Sequence, residues 1–258
     1  MTTVLVTGGS GRLGLALVKR LVAAGHDVRA ASRTARASRD GVRWVVADVA
    51  SGHGVAEAVS GAEVVVHLAS APYKGRYTVR VELDGTAAVL AAARAAGVRH
   101  FVYVSIVGAD RVPWSYFRTK VRAEELVRGG GVPWTILRVT QFHEFVEQAL
   151  PAMSRVGVMV VDPGIMASPV DVRDVAGHLV SLVGRGPGGE IEEYGGPEVL
   201  TMEEAVRSWL RVRGRRRPVL RVRLPGRLGR AFRAGHLVTE ARPRGEITWD
   251  DYLHGRRP

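Results

Sequence analysis

The chain has 258 residues, 46% of them hydrophobic and 24% charged, enough to bury a sizeable core and ordinary for a water-soluble globular fold. It carries a formal net charge of +12 and no cysteine, which excludes disulfides, thiolate metal sites and cysteine nucleophiles. No run reaches the roughly 18 apolar residues of a membrane helix. The opening MTTVLVTGG reads as a strand rather than a basic and apolar leader, so a cytoplasmic chain without a membrane partner is expected.

In chain order, Val4 to Thr7 reads as a first strand and Leu13 to Ala24 as a helix ended by Gly25. Val28 to Ala31 and Val42 to Ala47 give strands two and three, VAEAVS a short helix, and Val64 to Leu68 a buried fourth strand. A long helix over Val81 to Ala96 ends at Gly97; Phe101 to Val104 is strand five, WSYFRTKVRAEELVR its helix, and Trp134 to Val139 strand six. This alternation predicts an α/β fold built on a parallel sheet.

Beyond about residue 141, prolines and glycines come more often and the elements shorten. Val172 to Leu182 reads as a helix, Glu190 to Tyr194 as a short strand and Met202 to Leu210 as a helix. That is too little for an independent second core. Residues 1–145 are expected to form the core, with about 170–196 packing onto it. Residues 146–258 are expected to form a small C-terminal cap over one edge of the sheet rather than a separate domain.

Gly8, Gly11 and Gly14 stand in a G-x-x-G-x-x-G array between the first strand and the first helix. That context suits a dinucleotide: one glycine turns the chain, one admits a pyrophosphate, one lets the helix lie close to the strand, and the helix N-terminus offers free amides. Ser10, Arg12 and Leu13 complete the loop. The end of strand two, Ala30-Ala31-Ser32-Arg33-Thr34-Ala35-Arg36, has two arginines and lacks the acid that would bind the ribose of NAD. A guanidinium there can clamp a 2′-phosphate, so NADP(H) is the expected cofactor, with Ser32, Arg33 and Arg36 or Arg12 at that phosphate. Asp48, with Val49 beside it, is placed to accept from the adenine amino group, and Leu68-Ala69-Ser70 to run beneath the adenosine and ribose.

Tyr116 and Lys120 are four residues apart, one helical turn, and so project from one face. With the glycine array, VVHLAS and YVS in this order, the chain resembles the short-chain dehydrogenase/reductase superfamily. TGGSGRLG, RHFVYVSIVGAD, WTILRVTQF and the closing RAG…ITWDDYL most resemble its atypical, NmrA-like members, over nearly the whole chain. The resemblance implies a Rossmann-type doubly wound fold, with residues 1–145 as its NADP-binding core and residues 146–258 as a small substrate-binding part, and hydride transfer at a nicotinamide with Tyr116 as acid or base. A free phenol titrates near 10, and Lys120 would assist its ionisation and bond the nicotinamide ribose. It also implies a serine at the end of strand five, which falls on Ser105, or on Ile106 if the register shifts by one. The chain has no asparagine for the superfamily's fourth polar position, where Asp84 stands at the matching place.

Gln141, Phe142 and His143 follow strand six, where substrate pockets open. His67, in a buried strand, reads as a packed residue, and no His, Asp and Glu spacing suggests a metal. Only Lys19, Lys74 and Lys120 are lysine, so 34 of the 37 basic residues are arginine. The run from Arg207 to Arg233 lacks interleaved aromatics and a recognition helix, and reads as a solvated basic surface rather than a nucleic-acid site. The expectation is an NADP(H)-dependent oxidoreductase acting on a small carbonyl, enone or quinone, or an epimerase or dehydratase, as a monomer or homodimer. The alternative is a non-catalytic NADP(H)-sensing regulator.

Overall fold

The computed structural model describes residues 1–155 and 157–255, with side chains at all of these but 149 and 152–154. The chain runs through β1 (Thr3–Thr7), α1 (Arg12–Ala23), β2 (Asp27–Ser32), β3 (Val42–Val46), α2 (Val55–Val59) and β4 (Val64–His67). A helical stretch follows, with α3 (Arg76–Val79), a π-turn (Arg80–Gly85) and α4 (Thr86–Ala95) in direct succession. Next come β5 (His100–Ile106), α5 (Ser115–Gly129), β6 (Trp134–Val139) and α6 (His143–Arg155). The remainder comprises β7 (Met159–Val161), β8 (Met166–Ala167), α7 (Val172–Arg185), β9 (Ile191–Tyr194), β10 (Leu200–Thr201), α8 (Met202–Val212), β11 (Val219–Arg221), α9 (Gly226–Arg233) and α10 (Trp249–Gly255).

Seven strands form one sheet in the order β3-β2-β1-β4-β5-β6-β9. β1 lies parallel to both β2 and β4, with Val4 opposite Val28 on one side and Val64 on the other. The strand order reverses at β1, so the crevice beyond its carboxyl end is the topological switch point of a doubly wound sheet. The local sequences account for the elements. VLVT of β1 is buried on both faces, and α1 buries Leu13, Leu17, Val18 and Leu21 along one helical stripe.

The contacts group the chain into two compact units. The first holds residues 1–105, 118–137 and 176–192, and its core joins Leu5, Val65, Phe101, Tyr103 and Ile136 of the strands to Val89, Leu90, Ala123 and Val127 of the helices. The second holds residues 106–117, 138–175 and 193–258. Its core gathers Leu150, Met159, Val161, Val206, Trp209, Leu210, Trp249, Tyr252 and Leu253, and Trp249 stacks on Tyr252 with ring centroids 5.5 Å apart. Three large aromatics, Trp209, Trp249 and Tyr252, supply much of this cluster, each burying far more area than an aliphatic side chain. Within this unit the arginine-rich run is folded against acids, with Arg207 and Arg221 on Glu203, Arg213 on Glu147 and Arg233 on Asp162.

Candidate functional site

The loop between β1 and α1 accepts no side chains at two of its glycines. Gly8 has φ +65°, and a Cβ there would lie 2.8 Å from the Leu68 carbonyl carbon and the Ala69 amide. At Gly14 a Cβ would overlap the Gly8 carbonyl oxygen, which fixes how closely α1 approaches the loop. Gly11 differs: it is exposed, and a Cβ would meet only the Gly8 oxygen, at 3.2 Å. It also begins α1 without a side-chain cap, and the first turn contains no acid. The positive end of the helix dipole therefore faces a cradle that an anion fits, as a pyrophosphate requires. The Leu13 side chain is buried, which leaves only its backbone for this cradle, while Arg12 is exposed.

Ser32 closes β2 and is buried, its Oγ accepting from the Thr34 amide. Arg33 is exposed and donates from Nη1 to the Tyr77 hydroxyl at 3.1 Å. Arg36 instead stacks its guanidinium over Trp44, 5.1 Å from the ring centroid. Asp48 accepts from the Ala50 amide (3.0 Å) and the Ser51 hydroxyl (3.2 Å), so its carboxylate also shapes its own turn. Val49 is half-buried and packs where α4 begins, its Cγ2 within 3.0 Å of the Cβ position of Gly85. Leu68 and Ala69 donate their amides to Thr7 Oγ1 (3.1 and 3.3 Å), which ties the segment after β4 to the end of β1.

Beyond these residues lies a buried polar network. Lys120 of α5 is 3% exposed, and its Nζ donates to the Val104 carbonyl (2.8 Å) and to Glu82 Oε2 (3.3 Å), lying 4.1 Å from the centre of the Tyr103 ring. Glu82, on the π-turn, is 0% exposed and accepts from the Ser70 hydroxyl (2.5 Å) and the Tyr103 hydroxyl (3.4 Å). Burial alone would push its pKa up. The Lys120 ammonium and the hydrogen bonds from Ser70 and Lys120 outweigh that and hold it below the usual carboxylate value.

His67 completes the network. The Thr86 hydroxyl donates to the Glu82 carbonyl (2.6 Å), so its oxygen accepts from His67 Nε2 (3.1 Å), and Nδ1 accepts from the Thr7 hydroxyl (2.7 Å). Burial, with Lys120 nearby, lowers its pKa to about 4, and the ring is neutral at physiological pH.

Three expected roles change. Asp84 is exposed, and the carboxylate that reaches Lys120 is Glu82, two residues earlier. Ser105 is buried and commits its hydroxyl hydrogen to Glu124 Oε1 at 2.5 Å, while Ile106 beside it is half-buried. His143 is wholly buried; Nε2 lies 3.1 Å from the Pro169 carbonyl, and the ring packs on Trp249 and Tyr252 at 5.5 and 5.1 Å. It is packed inside the second unit rather than exposed beside β6. Asp171, 3.9 Å from its Nδ1, resists protonation: burial opposes this, but the two-pronged grip of Arg173 prevails.

Of the remaining residues, Tyr116 is half-buried in the first turn of α5, one turn before Lys120. Phe142 is half-buried beside a short bridge to Val170. Gln141 is half-buried, yet both its amide oxygen and its amide nitrogen are enclosed without a hydrogen-bond partner among the described residues. Among the described residues no group of three His, Cys, Asp or Glu could hold a metal ion, and no helix is long and apolar enough to cross a membrane.

A glycine turn at a topological switch point, an uncapped helix behind it and a buried lysine on α5 define the class of NAD(P)H-using oxidoreductases. The chain belongs to the NAD(P)H-binding family, whose model matches residues 8–184. It is 33% identical over 218 residues to a (4-alkanoyl-5-oxo-2,5-dihydrofuran-3-yl)methyl phosphate reductase of Streptomyces griseus, covering 82% of this chain and 74% of that one. It is 30% identical over 240 residues to the chloroplastic divinyl chlorophyllide a 8-vinyl-reductase of Oryza sativa subsp. indica, covering 83% of this chain but only 59% of that longer relative. A structure of an NADPH-dependent quinone oxidoreductase of Escherichia coli shares the fold, with a TM-score of 0.80 over 98% of this chain and 99% of that one at 18% identity. Both sequence relatives are reductases by name, which supports catalysis and not the sensing alternative; the chain is an oxidoreductase.

Proposed function

We propose that the chain reduces a conjugated carbonyl compound, an enone or a quinone, with NADPH rather than NADH. The observation that carries the chemistry is the buried Lys120 ammonium, one turn after Tyr116 on α5. Preference for the 2′-phosphate rests on the acid-free end of β2 and on Arg33, exposed beside it. The names of the relatives, a reductase of an oxo-dihydrofuran phosphate and a vinyl reductase, support an electron-poor double bond as the target.

NADPH, when bound there, would supply the hydride and become NADP+. The chain's own residues do the rest. The loop from Gly8 to Gly14 and the N-terminus of α1 hold the pyrophosphate, with Ser10 and Arg12 at its edge, and Ser32 and Arg33 hold the adenosine phosphate. Lys120 fixes the ribose next to the reacting ring. Tyr116 gives its hydroxyl proton to the substrate oxygen as the substrate gains the hydride, and recovers a proton from solvent, so the product is reduced by two electrons and two hydrogens. Gln141, whose enclosed amide has both a donor and an acceptor to offer, orients the substrate carbonyl, and Phe142 flanks it. Oxidation of NADPH by purified protein with a panel of enones and quinones tests the reading, with Tyr116→Phe as the diagnostic variant. A panel without any turnover would end it.

A further inference from the structure

We infer that Glu82 is a positioning residue whose carboxylate cancels the charge of Lys120, so that Tyr116 keeps its proton and the site is built to donate it. This deepens the reductase reading and rests on Tyr116 as its acid. A lone ammonium one turn from a phenol favours the phenolate, which suits proton removal and oxidation. Here that ammonium lies 3.3 Å from a carboxylate with no exposed surface. A close pair of opposite charges acts at a distance as a dipole, and its pull on a phenol is far weaker than that of a single cation.

The groups facing Glu82 come from every side. The Ser70 hydroxyl and the Ala71 amide arrive from the segment after β4, the Tyr103 hydroxyl from β5, His67 from β4 and Lys120 from α5. Of these, His67 is neutral at physiological pH and Lys120 alone carries a charge, so the carboxylate and the ammonium compensate each other within one buried network. A merely structural Glu82 would leave the titration of Tyr116 unmoved.

The test reads Tyr116 directly. Tyrosinate absorbance is followed as pH is raised, and the same titration of the matching Tyr116→Phe protein is subtracted, in four backgrounds: unmodified, Glu82→Gln, Lys120→Met and the double substitution. Glu82→Gln should bring the Tyr116 transition down by about one pH unit, as expected for an uncompensated cation nearby. Lys120→Met should move it up by a similar amount, and the double variant should titrate within a few tenths of the unmodified protein. A Tyr116 transition unmoved by Glu82→Gln, or moved the same way by both single substitutions, would overturn the proposal. Should Glu82→Gln fail to fold by circular dichroism, Lys120→Met against the double variant decides: the double variant must titrate lower. The measurement needs no turnover. A protein that oxidises no NADPH but shows these shifts would remove the reductase reading and leave the charge compensation standing.

Discussion

In the proposed function, cofactor choice turns on Arg33. Arg36, three positions on, spends its guanidinium on the Trp44 ring, whereas Arg33 is exposed and donates a hydrogen bond to the Tyr77 hydroxyl. A charge-assisted contact to a phosphate contributes about 1.5–3 kcal/mol. Arg33→Ala should therefore weaken NADPH binding by at least about tenfold and leave NADH binding within about twofold, as read by nucleotide fluorescence titration. Equal losses for both nucleotides would mean that Arg33 does not meet the 2′-phosphate. At this scale the sequence was legible in part. The missing acid after β2 is visible in the letters; which arginine is engaged by an aromatic on the neighbouring strand is not. Glu82 was legible and easily passed over: Glu82, Thr86, Val89 and Ala93 follow helical spacing and all have no exposed surface, which marks a carboxylate on the buried face, whereas Asp84 falls on the outer one. Ser105 could not be read this way, since its partner Glu124 lies on a different element.

At the scale of elements, the β1–α1 turn gives the most direct contrast. Gly14→Ala would force a Cβ into the Gly8 carbonyl oxygen and lift α1 from the loop, at a cost of about 1–3 kcal/mol of stability. Gly11→Ala meets one backbone oxygen at 3.2 Å in an extended conformation that alanine adopts freely, so stability should change by less than about 1 kcal/mol. Its methyl group nevertheless occupies the cradle, and NADPH affinity should fall at least about tenfold. Urea unfolding paired with nucleotide titration checks both. A Gly11→Ala protein that binds NADPH normally would place the phosphates elsewhere. β1, β2, β4, β5 and β6 were legible because parallel strands buried on both faces read as continuous apolar runs. α6 was not, because Pro151 lies inside it and its apolar face serves the second core. α10 was hidden for a different reason: seven residues are too few to show a period, and tertiary packing of Trp249 and Tyr252 holds it.

Across the whole molecule, buried titratable groups set the response to acid. His67 and His100 are held near 4, chiefly by burial, against an ordinary 6.5. Between these values the unfolded chain binds protons that the folded one does not, so stability must fall as pH falls, by about 2 kcal/mol from His67 alone between pH near 7.5 and near 5. Below that range, Asp162, Asp171 and Glu82, all held under the usual carboxylate values, contribute stability that is present above their unfolded pKa and lost as they take up protons. Urea midpoints should thus drop steadily from neutral pH downward. Stability that stayed level or rose between pH 7.5 and 5 would show that His67 is not held neutral. The net charge, in contrast, proved a poor guide to function. The arginines at 207, 213, 221 and 233 pair with acids of their own unit, which the count of charges along the chain cannot reveal.

The central claim is that Tyr116 delivers the proton in an NADPH-dependent reduction. Steady-state rates of NADPH oxidation by the unmodified and Tyr116→Phe proteins, with the enone or quinone turned over fastest, test it most directly. Loss of a general acid predicts a fall in kcat of about 100-fold or more, with the KM for NADPH nearly unchanged. A Tyr116→Phe protein that keeps its full kcat would contradict it.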